Sequence, residues 1–233
     1  MSNTQSLQHI AIIPDGNRRW AVQQGMKPEE GHLVGFEKTR GIIQSALENN
    51  IYALSFWGSS VNNLTKRSMS EVKNLYFGFK KYFTELLEDG SLDTYNVRVQ
   101  VLGKWEEMFP ADLKRVIRKL IDKTQHYSDH QLTFFLGYNG DEEMVQAVQR
   151  IVDSGETAVT PDLIKQNLYT KDLPPVDLLI RTGGEPHNSV GFMMWDTANS
   201  QYYFTDLCYP DFTVQEFDKA IEEYERRERR AGK

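Results

Sequence analysis

The sequence predicts an α/β fold, a single domain with a mainly parallel β-sheet of about six strands flanked by helices. Two observations lead to this prediction. Short apolar runs of strand length alternate along the chain with longer segments of helical periodicity, which is the pattern of βαβ units. No internal repeat and no Pro-, Gly- or Ser-rich linker divides the 233 residues. One domain spanning residues 1–233 is therefore expected, and it is long enough for a buried core.

The strands are predicted from apolar runs that end at turn residues. The first run, 9–14, is closed by Pro14 and by the Asp-Gly pair that follows it. The remaining strands are predicted over 51–57, 97–102, 131–138, 176–180 and 192–195.

The helices are predicted between these strands, where apolar residues recur at helical spacing. They are expected over 31–49, 69–87, 113–123, 142–152 and 212–229, with a short helix from Pro161. Ser70 is the predicted N-cap of the second of these helices.

Composition and charge exclude several classes of protein. Hydrophobic residues make up 39% of the chain, which is too many for a disordered protein. No apolar run is long enough to cross a bilayer, the N-terminus lacks the features of a signal peptide, and the single cysteine cannot form an internal disulfide. The net charge of −6 argues against nucleic acid as a partner. We therefore expect a cytoplasmic protein, and a transient membrane contact stays open.

Polar residues follow the predicted strands at the points where each strand ends. Asp15, Ser60 and Arg181 all lie there, and in parallel sheets ligands bind beyond the carboxyl ends of the strands. The segment 14–20, Pro-Asp-Gly-Asn-Arg-Arg-Trp, combines a carboxylate, a glycine turn and two guanidinium groups. Such a turn can hold a diphosphate, and its carboxylate can hold Mg²⁺ when phosphates supply the other ligands. Taken alone, the segment is better explained as an ordinary Asp-Gly turn beside two solvated arginines.

A second segment, 181–185, Arg-Thr-Gly-Gly-Glu, repeats this logic after a later strand. A polar glycine loop explains it equally well. The chain contains no GxGxxG fingerprint after a strand, no GxxxxGK[ST] loop, no GxSxG elbow and no HExxH pair. Phosphate binding by separate arginines would set it apart from those enzyme classes.

Five motifs in order resemble the signatures of one family, the cis-prenyltransferases or undecaprenyl-diphosphate-synthase-like enzymes. The first is the segment 9–20 together with Gly31-His32, and the second is 178–185. The others are 203–206, 210–212 and the Arg-rich end 226–232, which resembles the family's RxG tail. The resemblance spans nearly the whole chain.

This resemblance implies a Mg²⁺-dependent enzyme that condenses isoprenoid diphosphates, works as a homodimer with shared active sites and holds the prenyl chain in an apolar tunnel. By match to the family, Asp15 handles the metal, Ser60 and Asn63 form the polar pair that assists proton removal, and Gln201 replaces a glutamate that helps bind Mg²⁺. The residues expected to bind the substrates are Gly16, Asn17, Arg18, Arg19, Trp20, His32, Arg67, Arg181, His187, Ser189, Arg230 and Gly232.

Several positions depart from the family pattern. Pro28 and His187-Asn188 stand where arginines are usual, and Asn62 and Gln201 stand where carboxylates are usual, with an apparent one-residue insertion near Val190. The main residues of the pattern are nevertheless present: Asp15, Asn63, Arg67, Arg181 and Arg230. An altered enzyme is therefore favoured over an inactive one.

Two alternatives to ordinary head-to-tail condensation stay open. One is head-to-middle joining that uses dimethylallyl diphosphate as the acceptor, as in lavandulyl-type members, whose departures cluster at the same site. The other is a non-catalytic accessory subunit of a heteromeric prenyltransferase.

Product size is predicted from the helix at 71–88. Val72, Leu75, Phe79, Phe83 and Leu86 recur on one face of it, which is typical of a tunnel wall and equally of an ordinary core. If Phe79 and Phe83 line the tunnel, they should stop growth early, and a short product is expected.

Overall fold

The sheet has six strands, all parallel. The computed structural model describes residues 7–227, in which the spatial order of the strands is β3-β4-β2-β1-β5-β6. Their bounds are β1 His9–Ile13, β2 Ala53–Ser59, β3 Val97–Leu102, β4 His130–Leu136, β5 Leu178–Arg181 and β6 Gln201–Phe204. The predicted fold class is confirmed.

Helices connect the strands and cover both faces of the sheet. They are α1 Asn17–Gln23, α2 Glu30–Glu48, α3 Val61–Lys66, α4 Met69–Glu88, α5 Ser91–Thr94, α6 Trp105–Met108, α7 Ala111–Thr124, α8 Gly140–Asp153, α9 Pro161–Asn167 and α10 Val214–Arg226, with one 3₁₀ turn at Tyr209–Asp211. Within the described residues, no helix is long and apolar enough to cross a membrane.

Burial along the strands explains why their sequences read as continuous apolar runs. Every residue of β1, β4 and β5 is buried, because helices cover both faces of a parallel sheet. The edge strand β3 instead alternates between buried and half-buried positions, in step with the pleat. The larger core cluster includes Ile10, Phe56 and Phe83, and a second cluster on the other face includes Ala11, Phe135 and Phe192.

The sixth strand differs in place from the prediction. It runs over Gln201–Phe204, whereas residues 192–195 form turns. Phe192 and Met193 are apolar because they are buried in the second core cluster, and the left-handed backbone of Met193, with φ of 49°, is incompatible with a strand.

Four short helices, α1, α3, α5 and α6, are not predicted from the sequence, and one predicted N-cap is wrong. α1, which the sequence pattern does not reveal, begins at Asn17 directly after the turn at Gly16. The N-cap of α4 is Ser68 and not Ser70: the hydroxyl of Ser68 accepts a hydrogen bond from the backbone N–H of Glu71, and the Glu71 carboxylate accepts one from the N–H of Ser68.

Candidate active site

The candidate site lies at the carboxyl ends of β2, β1 and β5, three adjacent strands. Ile13 and Arg181 are register partners, so the chain leaving β1 at Asp15 passes directly beside the end of β5. On the other side, β2 ends at Ser59 and leads into α3, which carries Asn63. The polar residues at these three strand ends therefore meet at one edge, as the sequence indicates.

A cavity of about 340 Å³ opens at this edge. The turn after β1, α1 and the segment 63–67 contribute most of its polar residues, and α2, β2 and α4 contribute its apolar ones. It is lined by Pro14, Asp15, Gly16, Asn17, Arg18, Arg19, His32, Gly35, Phe36, Thr39, Trp57, Gly58, Asn63, Arg67, Leu75, Phe79 and Tyr209. One cavity thus has a cationic end and an apolar end.

The Asp15 carboxylate is the anionic centre of the polar end. One of its oxygens accepts a hydrogen bond from the N–H of Gly16 at 2.6 Å, and the other pairs with the Arg181 guanidinium at 2.8 Å. Arg19 lies 3.8 Å away. The carboxylate keeps a third of its surface exposed, so a ligand in the cavity can reach it.

The turn after β1 needs glycine at position 16. Gly16 has a φ of 97°, and a Cβ there would lie 2.9 Å from Cys208. This turn sends Arg19 across to the loop after β5, where it donates a hydrogen bond to the Gly183 carbonyl at 2.5 Å. The two loops that the sequence marks as diphosphate-binding are therefore joined directly.

His32 and Arg67 form a second polar pair at the mouth of the cavity. The His32 Nε2 lies 3.3 Å from an Arg67 guanidinium nitrogen. Burial, together with the charges of Arg67 and Arg18, lowers the pKa of His32 to about 4. His32 is therefore neutral near pH 7 and can accept a hydrogen bond from Arg67.

Cations outnumber carboxylates at this end, and several buried polar atoms have no partner. Three arginines, at positions 18, 19 and 67, and one carboxylate, Asp15, are among the described residues that line the cavity. Asn17 Oδ1, Trp57 Nε1 and Arg181 Nε are buried there without a hydrogen-bond partner. Trp57 Nε1 and Arg181 Nε are donors. Because native proteins leave few such atoms unpaired, unpaired donors beside these arginines are typical of a site that binds an anionic ligand.

The donor atoms suit Mg²⁺ held mainly by a substrate. Among residues 7–227, no group of three or more His, Cys, Asp or Glu side chains could hold a metal by themselves. Among the described residues that line the cavity, Asp15 is the carboxylate, a hard and partly exposed oxygen ligand. Mg²⁺ commonly takes one or two protein carboxylates, with the rest of its shell from phosphates and water, so the residues fit that ion.

Ser60 and Asn63 form a capping box at the start of α3. The Ser60 hydroxyl accepts from the N–H of Asn63 at 3.0 Å, and Asn63 Oδ1 accepts from the N–H of Ser60 at 3.2 Å. Asn63 lines the cavity, whereas Ser60 is buried behind it and is not among the lining residues.

Some predicted site residues are not brought to the cavity. Trp20 donates its indole N–H to Asp211 at 2.8 Å, outside the lining residues. His187 is exposed, with its carbonyl accepting from Arg181 at 2.7 Å, and Ser189 is half-buried in the same loop. Arg230 and Gly232 lie outside the described residues.

Gln201, predicted to bind the metal, does not reach Asp15 within one chain. It begins β6 and pairs in register with Leu178, three residues before Arg181, so it lies about 10 Å down the sheet from the ends of β1 and β5. Because the sites are expected to be shared between two subunits, metal binding by Gln201 stays a prediction.

Sequence reasoning also misses several residues that line the cavity, among them Phe36, Thr39, Trp57 and Tyr209. The hydroxyl groups of Tyr209 and Thr39 share a hydrogen bond of 2.9 Å. The Phe36 ring packs edge-on against Phe79, with 5.1 Å between the ring centroids. A usable signal exists for the first two. Gly31, Gly35, Phe36 and Thr39 follow one another at helical spacing, and small residues on one face of a helix permit close approach to it.

Comparison with known proteins assigns the family. The family model of undecaprenyl diphosphate synthases matches residues 13–232. The chain belongs to this family. It is 37% identical to a tritrans,polycis-undecaprenyl-diphosphate synthase (geranylgeranyl-diphosphate specific) of Thermococcus kodakarensis, over 97% of this chain and 86% of that protein. It is 35% identical to an isoprenyl transferase of Thermus thermophilus, over 97% and 88%.

A solved structure agrees with this assignment. The fold of this prenyltransferase matches a crystal structure of lavandulyl diphosphate synthase from Lavandula x intermedia in complex with dimethylallyl diphosphate. The TM-score is 0.88 at 27% identity, and the match covers 95% of this chain and 96% of that chain. The resemblance to cis-prenyltransferases and the prenyl diphosphate synthase activity expected from the sequence are therefore confirmed at family level.

Proposed function

We propose that the chain joins an allylic diphosphate to isopentenyl diphosphate and releases diphosphate. The observation that carries the proposal is the single cavity with a cationic end at Asp15 and an apolar end at Phe79. A prenyl diphosphate has the same two ends. The test is an assay with radiolabelled isopentenyl diphosphate, a set of allylic diphosphates and Mg²⁺, followed by product analysis.

The arginines supply the main rate effect in this proposal. Arg18, Arg19 and Arg67 lie where the allylic diphosphate would sit, and negative charge builds on that group as its bond to carbon breaks. Guanidinium groups fixed in advance stabilise this charge without reorganising.

Asp15 would hold Mg²⁺ together with the phosphate oxygens. The ion supplies further positive charge to the departing diphosphate when it is bound. Asp15 also pairs with Arg181 at 2.8 Å, which holds this arginine, one of the expected substrate-binding residues, at the same edge of the sheet.

Asn63 would position a substrate rather than act as a base, because an amide does not take up a proton near neutrality. Its Oδ1 is occupied by the N–H of Ser60, which turns the amide NH₂ into the group that a ligand in the cavity can use. Ser60 in this proposal fixes Asn63 through the capping box.

The apolar end supports a short product. Phe36, Leu75 and Phe79 line it, and the volume of 340 Å³ is near the lower limit for small-molecule sites, about 300–1,000 Å³. Phe83, expected in the wall, is fully buried in the core and is not among the cavity-lining residues. Phe36 takes its place as the aromatic beside Phe79, and the rings should stop the chain within a few units.

Head-to-middle joining is the second candidate. It is favoured by the close structural match to lavandulyl diphosphate synthase and by His187-Asn188 at a position where the family usually has arginine. Neutral donors there would hold a second diphosphate less firmly than an arginine fork would. Branched products from dimethylallyl diphosphate alone would identify this reaction, and no product from any pair of substrates would identify an accessory subunit.

We also propose a cytoplasmic homodimer with shared sites. β6 is an edge strand that carries the exposed Phe204, and Arg227 donates a hydrogen bond to the carbonyl of Tyr202 on this strand at 3.1 Å. Arg227, the last described residue, thus lies at the sheet edge and not at the Asp15 cavity of its own chain. This placement supports a tail that serves a second copy.

Complementation tests the shared site. Asp15→Ala and a deletion of residues 228–233 should each abolish activity. A mixed dimer would hold one intact site, made of the Asp15 of one chain and the tail of the other, so equal mixing should restore about a quarter of wild-type activity. No recovery, or an active monomer by light scattering, would contradict shared sites.

A further inference from the structure

Glu71 lies beside the diphosphate-binding arginines although a carboxylate would repel a diphosphate. Its Oε1 pairs with the Arg18 guanidinium at 2.7 Å, and its side chain is only 18% exposed. Arg18 lines the cavity, whereas Glu71 is outside the lining residues. The Glu71 carboxylate therefore contacts Arg18 from outside the cavity, and the cavity side of Arg18 stays free for a diphosphate.

The start of α4 fixes Glu71 in this position. Its Oε2 accepts hydrogen bonds from the N–H of Ser68 at 3.1 Å and from the Ser68 hydroxyl at 2.9 Å. These two hydrogen bonds, with the nearby Arg18 and Arg67, lower the pKa of Glu71, so it is charged at pH 7. One oxygen is thus used to hold Glu71, and the other is directed at Arg18.

Arg18 needs such a partner because little else holds it. It occupies the second position of α1, and half of its side chain is exposed. A free arginine loses rotamer entropy when it binds a ligand. An ion pair at one terminal nitrogen restricts the side chain in advance, and the guanidinium keeps further N–H donors for a phosphate.

We propose that Glu71 is a positioning residue for the allylic diphosphate and acts through Arg18. The inference rests on the proposed function, since it assumes a diphosphate at Arg18. It assigns to the first turn of α4 a part in substrate binding besides its contribution of Leu75 and Phe79 to the cavity wall.

The experiment is a double-mutant cycle on binding. Calorimetry with Mg²⁺ and dimethylallyl S-thiolodiphosphate, an unreactive analogue, would compare wild type, Glu71→Gln, Arg18→Ala and the double variant. Glutamine keeps the capping box but loses the charge. A half-exposed pair contributes about 1 kcal/mol, so Glu71→Gln should raise Kd about fivefold, and should have no further effect when Arg18 is already alanine.

Glu216→Gln is the matched control. Glu216 is the third residue after the N-cap Thr213 of α10, as Glu71 is the third residue after the N-cap of α4. It pairs with Lys219, away from the cavity. The Glu216→Gln variant should bind the analogue with the wild-type Kd. In steady-state kinetics, Glu71→Gln should raise KM for the allylic substrate and leave KM for isopentenyl diphosphate unchanged, which a general loss of stability would not do.

The outcomes separate the two proposals. Wild-type binding that Glu71→Gln leaves unchanged or strengthens would overturn the role of Glu71 alone, as would an equal effect with and without Arg18. Failure of the wild-type protein to bind the analogue would overturn the proposed function and, with it, this inference.

Discussion

Buried polar groups have hydrogen-bond partners at the amino end of strand β1, whereas several lack partners at its carboxyl end. At the amino end, His9 is fully buried, and its ring nitrogens bond to the Pro174 carbonyl at 2.8 Å and to the Ser55 hydroxyl at 2.9 Å. Asp177 beside it accepts hydrogen bonds from two backbone N–H groups, those of Gln8 and His9. At the carboxyl end, Asn17 and Trp57 keep buried polar atoms without partners.

This difference separates residues that stabilise the fold from residues that serve a ligand. A satisfied buried network fixes one packing arrangement, and removing one member leaves the other members unpaired. Unpaired atoms and excess cations cost stability unless a ligand completes them. Changes at the amino end should therefore affect stability, and changes at the carboxyl end should affect binding and rate.

The largest expected effect is at Asp15. Asp15→Ala removes the carboxylate proposed to hold Mg²⁺, and the rate should fall by ~10²–10³ or more, as for other charge-stabilising groups. The fold should be unaffected, because the carboxylate is partly exposed and lies at a loop. Single-turnover kinetics measures the rate, and thermal melting measures whether the variant is folded. A folded variant with a tenth of wild-type activity would show that Asp15 is not the centre of the site.

The second effect is on stability and comes from the amino end. Burial is the main cause that lowers the pKa of His9 to about 4, against about 6.5 in the unfolded chain. The unfolded chain therefore binds a proton first as the pH falls, and this stability is complete above pH 6.5 and is lost towards pH 4.

Urea unfolding at pH 7.5 and pH 5 checks this prediction. Wild type should lose about 2 kcal/mol more over this range than His9→Gln, and the variant should keep its activity near neutral pH. An equal loss in both proteins would show that His9 is not the titrating group.

A smaller effect concerns the apolar end of the cavity. Phe36→Ala should lengthen the product, because the Phe36 ring forms the wall beside Phe79 and is only half-buried. Phe77→Ala is the control, since Phe77 lies on α4 but is 61% exposed. Chromatography of the dephosphorylated products gives the chain length. Equal product lengths in both variants would place the end of the product elsewhere.

The sequence predicts the parts of this account that depend on local pattern. Apolar runs identify five of the strands correctly, and the rule that ligands bind at the carboxyl ends of parallel strands places Asp15, Ser60 and Arg181 at one edge of the sheet. The run at 192–195 misleads because a buried turn and a buried strand have the same composition.

Contacts between distant segments cannot be predicted in this way. Trp20 is expected at the substrate because it follows the arginines, but its indole N–H has a partner 191 residues away at Asp211. Phe36 and Tyr209 reach the cavity only through packing of α2 against α4 and of the 3₁₀ turn against α2.

Binding of an allylic diphosphate at the carboxyl end of β1 tests the central claim most directly. The measurement is calorimetric titration of dimethylallyl S-thiolodiphosphate with Mg²⁺ into wild type, Arg67→Ala and Arg118→Ala. Arg67 lines the cavity, whereas Arg118 pairs with Glu106 on the surface of the described chain. The account predicts that Kd rises about tenfold in Arg67→Ala, since charge-assisted hydrogen bonds contribute about 1.5–3 kcal/mol, and stays at the wild-type value in Arg118→Ala. Equal affinity of all three proteins would contradict it.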